Sequence, residues 1–218
     1  MVKGVIFDMD GLMFDTERLA SVFWKQAGYG VGEDIPEEFL NSFRGKNGEA
    51  IREAFLGHYG ARFAYEYCRD LKVKLHYKYI EEKGVPIKKG LIELLDYLKE
   101  HGIRMAVATS TERNLANTML RKAGVYEYFD TFAYGDMVKR SKPHPDIFLK
   151  AAEEMQIPIE ECLVLEDSVA GVKAGKASGG YIIHIPDVVI VPEKVKEGIT
   201  AEMESLLDVI EWIKKMNS

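Results

Sequence analysis

Two carboxylates, Asp8 and Asp10, close the apolar run Val5-Ile6-Phe7 and are followed by Gly11. In an extended chain the i, i+2 spacing sends both side chains to one side. Like charges this close repel, and burying them costs roughly several kcal/mol per ion unless a positive charge is held nearby. A hard divalent cation with oxygen ligands, such as Mg2+, meets that demand. One carboxylate is then free to attack an electrophile while the other moves protons. Asp-x-Asp pairs also occur in turns, helix caps and calcium loops. The calcium-loop reading fails, because no ladder of further acids ending in a closing Glu follows. Gly11 suits a sharp turn off a strand.

Three further polar clusters follow apolar runs. Thr109-Ser110-Thr111 comes directly after Met105–Ala108. A hydroxyl there, before a helix start, can bind a phosphate with help from backbone N–H groups. The competing reading is an ordinary N-cap, by Ser110 or Thr111. Thr109 is read as a phosphate ligand, and for Ser110 both readings stand. Lys142 lies in Arg140-Ser141-Lys142-Pro143-His144-Pro145-Asp146, where two prolines stiffen the loop. Its ammonium either offsets nearby anions or is solvated, the usual fate of lysine. His144 reads as a loop residue. Glu166 and Asp167 end the run Leu163–Leu165, and Ser168 opens a helix. Acids at that place either complement a helix N-terminus or offer Asp167 as an oxygen ligand to a metal.

These groups need a common scaffold. Val2–Phe7, Ile103–Ala108, Leu163–Leu165 and Tyr181–Ile185 read as buried parallel strands, with Phe132–Tyr134 as a weaker fifth. Helical periods lie between them. Leu91, Leu94, Leu95 and Leu98 mark one face, Leu115, Met119 and Leu120 the next, and Ile147, Phe148, Ala151 and Met155 another. The last helix carries Leu206, Leu207, Ile210 and Ile213. This alternation predicts an α/β fold, a doubly wound parallel sheet whose first strand lies near the middle. Every polar cluster then falls at the carboxyl edge of the sheet, where such folds place ligands. Together they would supply a nucleophile, an acid/base, a metal site and a cationic clamp, the parts of in-line phosphoryl transfer.

From Thr16 to about Gly84 the alternation stops, and the segment reads as helices rich in aromatics. Residues 1–15 and 85–218 are therefore expected to form the α/β core, with 16–84 a helical cap domain inserted after the first strand. The aromatics are expected mainly to fill the cap's own core.

Composition narrows the class further. The chain has 218 residues, 47% hydrophobic, enough for one large core with a smaller insert. A formal charge of -6 argues against a nucleic-acid surface. Its 2 cysteines lie far apart and read as reduced thiols. No run approaches 18 apolar residues and the first strand is too short for a signal peptide, so a cytoplasmic, membrane-free protein is expected, and a monomer.

With these residues in view, the chain resembles the haloacid dehalogenase superfamily. The resemblance rests on Asp8-Met9-Asp10-Gly11-Leu12 with Asp15-Thr16, Ala106-Val107-Ala108-Thr109-Ser110, Ser141-Lys142-Pro143-His144-Pro145-Asp146 and Leu165-Glu166-Asp167-Ser168, in that order. The helical insert is similar to the cap of the subfamily that includes β-phosphoglucomutase and phosphoglycolate phosphatase. The resemblance implies that Asp8 attacks phosphorus and that Asp10 protonates the leaving oxygen and then activates water. It implies that Thr109 and Lys142 hold the phosphoryl oxygens. It also implies that Mg2+ is bound by Asp8, Asp10 through its backbone carbonyl, and Asp167, with Glu166 close by.

The expected activity is a Mg2+-dependent phosphatase acting on a small phosphorylated metabolite, a sugar or polyol phosphate. A phosphomutase is the alternative, but the chain departs from that pattern. Ala20 stands where mutases of the subfamily carry His, Gly48 where they carry Arg, and Glu112-Arg113 where they carry Lys-Asn. Arg44, before Gly45, and Lys46 would reach a substrate when the cap closes, or stay solvated. A non-catalytic binding protein ranks last, since Asp8, Asp10, Lys142 and Asp167 are all present.

Overall fold

A computed structural model describes residues 1–42 and 48–218. Strands β1 (Gly4–Phe7), β2 (Arg104–Thr109), β3 (Thr131–Tyr134), β4 (Cys162–Glu166), β5 (Tyr181–His184) and β6 (Ala201–Glu202) form one sheet. Its order is β3-β2-β1-β4-β5-β6, and every neighbouring pair is parallel. The chain first winds outward from β1 through β2 to β3, then restarts beside β1 with β4. The crevice where the winding reverses therefore opens at the carboxyl ends of β1, β2 and β4.

Side chains alternate across the central strands. Val5, Phe7, Met105, Val107, Leu163 and Leu165 face one apolar layer. Ile6, Ala106, Ala108 and Val164 face the other. The first layer is covered by α5 (Leu91–Glu100), α6 (Arg113–Lys122) and α10 (Leu206–Asn217); the second by α7 (Asp146–Met155) and α8 (Val169–Ser178). A short helix α9 (Glu193–Lys196) links β5 to β6. Burial on both faces explains why the strands read as continuous apolar runs.

Helices α1 (Glu17–Gly30), α2 (Glu37–Asn41), α3 (Gly48–Tyr59) and α4 (Tyr65–Lys83) lie between β1 and the rest. They share a separate core in which Trp24, Leu40, Phe55, Tyr65 and Cys68 are buried. Trp24 and Phe55 pack with ring centroids 4.7 Å apart. The two chain passages joining this helical layer to the sheet run side by side. Asp15 N–H donates to the Pro86 carbonyl and Lys88 N–H to the Met13 carbonyl, each at 2.9 Å.

Two details differ from the sequence reading. The strand β6 is two residues long, too short to leave a periodic signal. The N-cap of α6 is neither Ser110 nor Thr111 but Glu112, whose carboxylate accepts from the Asn114 and Leu115 amides. Thr111 is turned instead toward Asp10.

Candidate active site

The first loop leaves β1 and turns back at once. The Met9 carbonyl accepts from the Met13 and Phe14 amides, and Gly11 N–H donates to the Phe14 carbonyl. Gly11 sits at φ +85°, and a Cβ there would lie 2.2 Å from Asp167 Oδ2. Both the left-handed backbone and the close approach require glycine. The turn sets Asp8 and Asp10 above the crevice.

Asp8 is buried beside Lys142, and the two form a short hydrogen-bonded ion pair. The Lys142 ammonium also reaches Glu166 Oε1 at 2.6 Å and the Ala108 carbonyl at 3.4 Å. Burial opposes the Lys142 charge, but the Asp8 and Glu166 carboxylates outweigh it and push its pKa up. Glu166 is fully buried, and its Oε2 accepts from the Asp167 amide, the Ser168 amide and the Ser168 hydroxyl at 2.9–3.1 Å. With four donors, Glu166 is an anchor for the lysine and the loop more than a free ligand. Gly171 on α8 passes so close that a Cβ would sit 1.8 Å from the Glu166 carboxylate carbon.

Asp10 is held differently. Thr16 Oγ1 donates to Oδ1 at 2.7 Å, and Thr111 Oγ1 donates to Oδ2 at 2.6 Å. A threonine hydroxyl can donate to the carboxylate and accept from the carboxylic acid, so the pair supports both protonation states. Thr109 is buried at the end of β2, and its Oγ1 accepts from the Thr111 amide at 3.0 Å. Ser110 is exposed and lines the same cavity.

Four acids thus cluster at the crevice, and Lys142 pairs with two of them, Asp8 and Glu166. Oxygens of Asp8, Glu166 and Asp167 all lie within 4.8 Å of one another. Among the described residues, Asp167 Oδ1 is buried with no hydrogen-bond partner. Burial, with Glu166 and Asp10 adding to it against Lys142, pushes Asp8 up to about 8. Burial and then Glu166 and Asp8 raise Asp167 well above the carboxylate range. An Asp8 ionised at neutral pH needs more positive charge than Lys142 provides. The all-oxygen donor set and the orphaned Asp167 oxygen fit a hard cation.

The cavity above these groups has a volume of about 540 Å³. Its floor includes Asp8, Asp10, Thr109, Lys142 and Asp167, and its roof comes from α1, α3 and α4. Arg44 lies outside the described residues. Two roof residues, Lys72 and His76 on α4, were not singled out from sequence. That helix alternates charged and aromatic residues without a dominant apolar face, so nothing in its pattern separated a cavity-facing lysine from a solvated one. Burial lowers the Lys72 pKa, with Asp10 and Glu17 opposing.

A parallel sheet with a reversal crevice, a paired Asp–Lys at its carboxyl edge and an acidic cluster able to hold a cation fit a phosphoryl-transfer class of α/β protein. The haloacid dehalogenase-like hydrolase family profile matches residues 2–179, and the chain belongs to that family. It is therefore an enzyme of the hydrolase class. It is 32% identical over 180 residues to the "Phosphorylated carbohydrates phosphatase" of Thermotoga maritima, covering 82% of each chain. It is also 32% identical to "Hexitol phosphatase A" of Escherichia coli, over 84% of this chain and 82% of that one. The crystal structure of CbbY from Rhodobacter sphaeroides in complex with phosphate superposes with a TM-score of 0.85 at 27% identity, covering 96% of both chains.

Proposed function

We propose that this protein is a Mg2+-dependent phosphatase that hydrolyses a small sugar or polyol phosphate through an aspartyl-phosphate on Asp8. The observation that carries this reading is the buried contact of Asp8 with Lys142 beneath a cavity that also exposes Asp10, held by two threonine hydroxyls. The names of the two phosphatase relatives support the carbohydrate class of substrate.

In this reading an Asp8 oxygen attacks phosphorus in line with the ester oxygen, and the P–O bond to the alcohol breaks. Asp10 gives its proton to the leaving alkoxide. Asp10 then takes a proton from water as that water attacks phosphorus, and the Asp8–phosphorus bond breaks to release phosphate. Lys142 and Thr109 hold phosphoryl oxygens, with Ser110 at the rim. Mg2+ held by Asp8, Asp167 and the Asp10 backbone carbonyl would neutralise the repulsion between nucleophile and phosphate. Glu166 keeps Lys142 and the Asp167 loop in place. Residues 16–84 act as a cap that closes over residues 1–15 and 85–218, excluding bulk water.

The test is phosphate release by the purified full chain, with Mg2+ and with EDTA, from a panel of sugar and polyol phosphates. Steady Mg2+-dependent release supports the reading. Negligible release with rapid interconversion of β-glucose 1-phosphate and glucose 6-phosphate would replace it with a phosphomutase. No turnover of any phosphoester would leave a binding protein.

A further inference from the structure

We propose that His76 determines specificity in this site by hydrogen-bonding a hydroxyl on the carbon chain of the leaving alcohol, so that the enzyme selects polyhydroxylated phosphoesters over plain alkyl phosphates. The inference rests on the phosphatase reading and deepens it.

His76 is only 3% exposed, lines the cavity over Asp10, and among the described residues has no hydrogen-bond partner on either ring nitrogen. Buried polar atoms without partners are costly and call for an explanation. A ring packed only for shape would be served as well by phenylalanine, particularly as the Phe23 ring lies 5.3 Å away. A ligand in the cavity removes the anomaly.

The electrostatics choose the kind of ligand. Burial, followed by the neighbouring Lys72 ammonium, holds the imidazole down to about 4, while Asp10 pulls the other way. The ring is therefore uncharged at pH 7, with one donor and one acceptor nitrogen. A phosphate dianion could accept from the donor nitrogen but has no hydrogen for the acceptor nitrogen, and an uncharged ring gives it no ion pair. A hydroxyl both donates and accepts, and so can pair with either nitrogen. Lys72 stands one helical turn away on the same face of α4, leaving a cation beside the neutral ring for a more electron-rich oxygen. The phosphoryl group already has Lys142 on the floor, so the roof is left to read the alcohol.

The test uses matched esters of equal chain length, sorbitol 6-phosphate against n-hexyl phosphate and glycerol 3-phosphate against n-propyl phosphate. Wild type is compared with His76→Phe, which keeps a planar ring, and His76→Gln, which keeps a donor and an acceptor. For His76→Phe we expect kcat/KM on the better hydroxylated ester to fall about 10- to 100-fold, mostly through KM. The alkyl partner should change less than about twofold, and His76→Gln should recover part of the loss. Equal losses on both members of a pair, no loss on either, or a wild-type preference for the alkyl ester would overturn the role of His76 while leaving the phosphatase intact. A wild type that hydrolyses none of the four, nor any sugar phosphate, would bring down both readings. A melting temperature for His76→Phe no lower than that of wild type, alongside the selective loss, separates recognition from a folding defect.

Discussion

Gly171→Ala isolates the packing that holds Glu166 and Lys142 at the floor of the cavity. On an ordinary helix this exchange is favourable by about 1 kcal/mol. Here the added Cβ would lie 1.8 Å from Glu166 Cδ and Oε1 and 2.1 Å from Oε2. Ordinary contact needs about 3.4 Å or more, so the carboxylate must move by roughly 1.5 Å. That displacement breaks the 2.6 Å pair with Lys142 and the three bonds from the Asp167 and Ser168 groups. Breaking a buried ion pair costs about 3–5 kcal/mol. Subtracting the helix gain leaves a net loss of about 2–4 kcal/mol, or a fall in Tm of roughly 5–15 °C for a chain of this size. Urea denaturation and thermal melting measure it, and phosphate release should fall in parallel because Lys142 loses its anchor. A Gly171→Ala protein as stable as wild type, or more so, would refute the packing argument.

Other consequences follow from the same geometry. Thr111→Val removes one of the two hydroxyls on Asp10 and keeps the shape, so kcat should fall about 10-fold with KM little changed, read from steady-state phosphate release. His76 bears on acid stability. Its folded pKa of about 4 lies below the 6.5 of the free side chain, so the unfolded chain binds the extra proton between these values. Stability is therefore full above pH 6.5 and is lost as pH falls toward 4, by roughly 3 kcal/mol from this group. Denaturation of wild type and His76→Phe across that range should show the variant gaining relative stability as pH falls. A difference that does not vary with pH would contradict the buried, uncharged ring.

Much of the fold was legible because the physics behind it is local. Val5-Ile6-Phe7 and Val107-Ala108 are continuous apolar runs because both sheet faces are covered. The α7 stripe of Ile147, Phe148, Ala151 and Met155 faces the core. The polar residues after these strands could be found because strand ends share one edge in a parallel sheet, whatever their separation along the chain. Lys142 meets Asp8 across 134 positions for that reason. The roof was another matter. His76 and Lys72 gain their setting from the packing of α4 over the crevice, a long-range placement that no local pattern encodes. Glu112 caps α6 in place of the shorter hydroxyl residues just before it because Thr111 has a long-range partner in Asp10.

In the proposed reaction an Asp8 carboxylate oxygen accepts the phosphoryl group while Mg2+ offsets the surrounding acids. Rapid acid quench of the full chain with its best sugar or polyol phosphate, followed by mass spectrometry of the peptide containing Asp8, tests this directly. We predict a phosphoryl group on Asp8 in wild type with Mg2+, none with EDTA, and neither label nor turnover in a folded Asp8→Asn variant. Full turnover by Asp8→Asn, or turnover with the phosphoryl group trapped on another residue, would contradict the account.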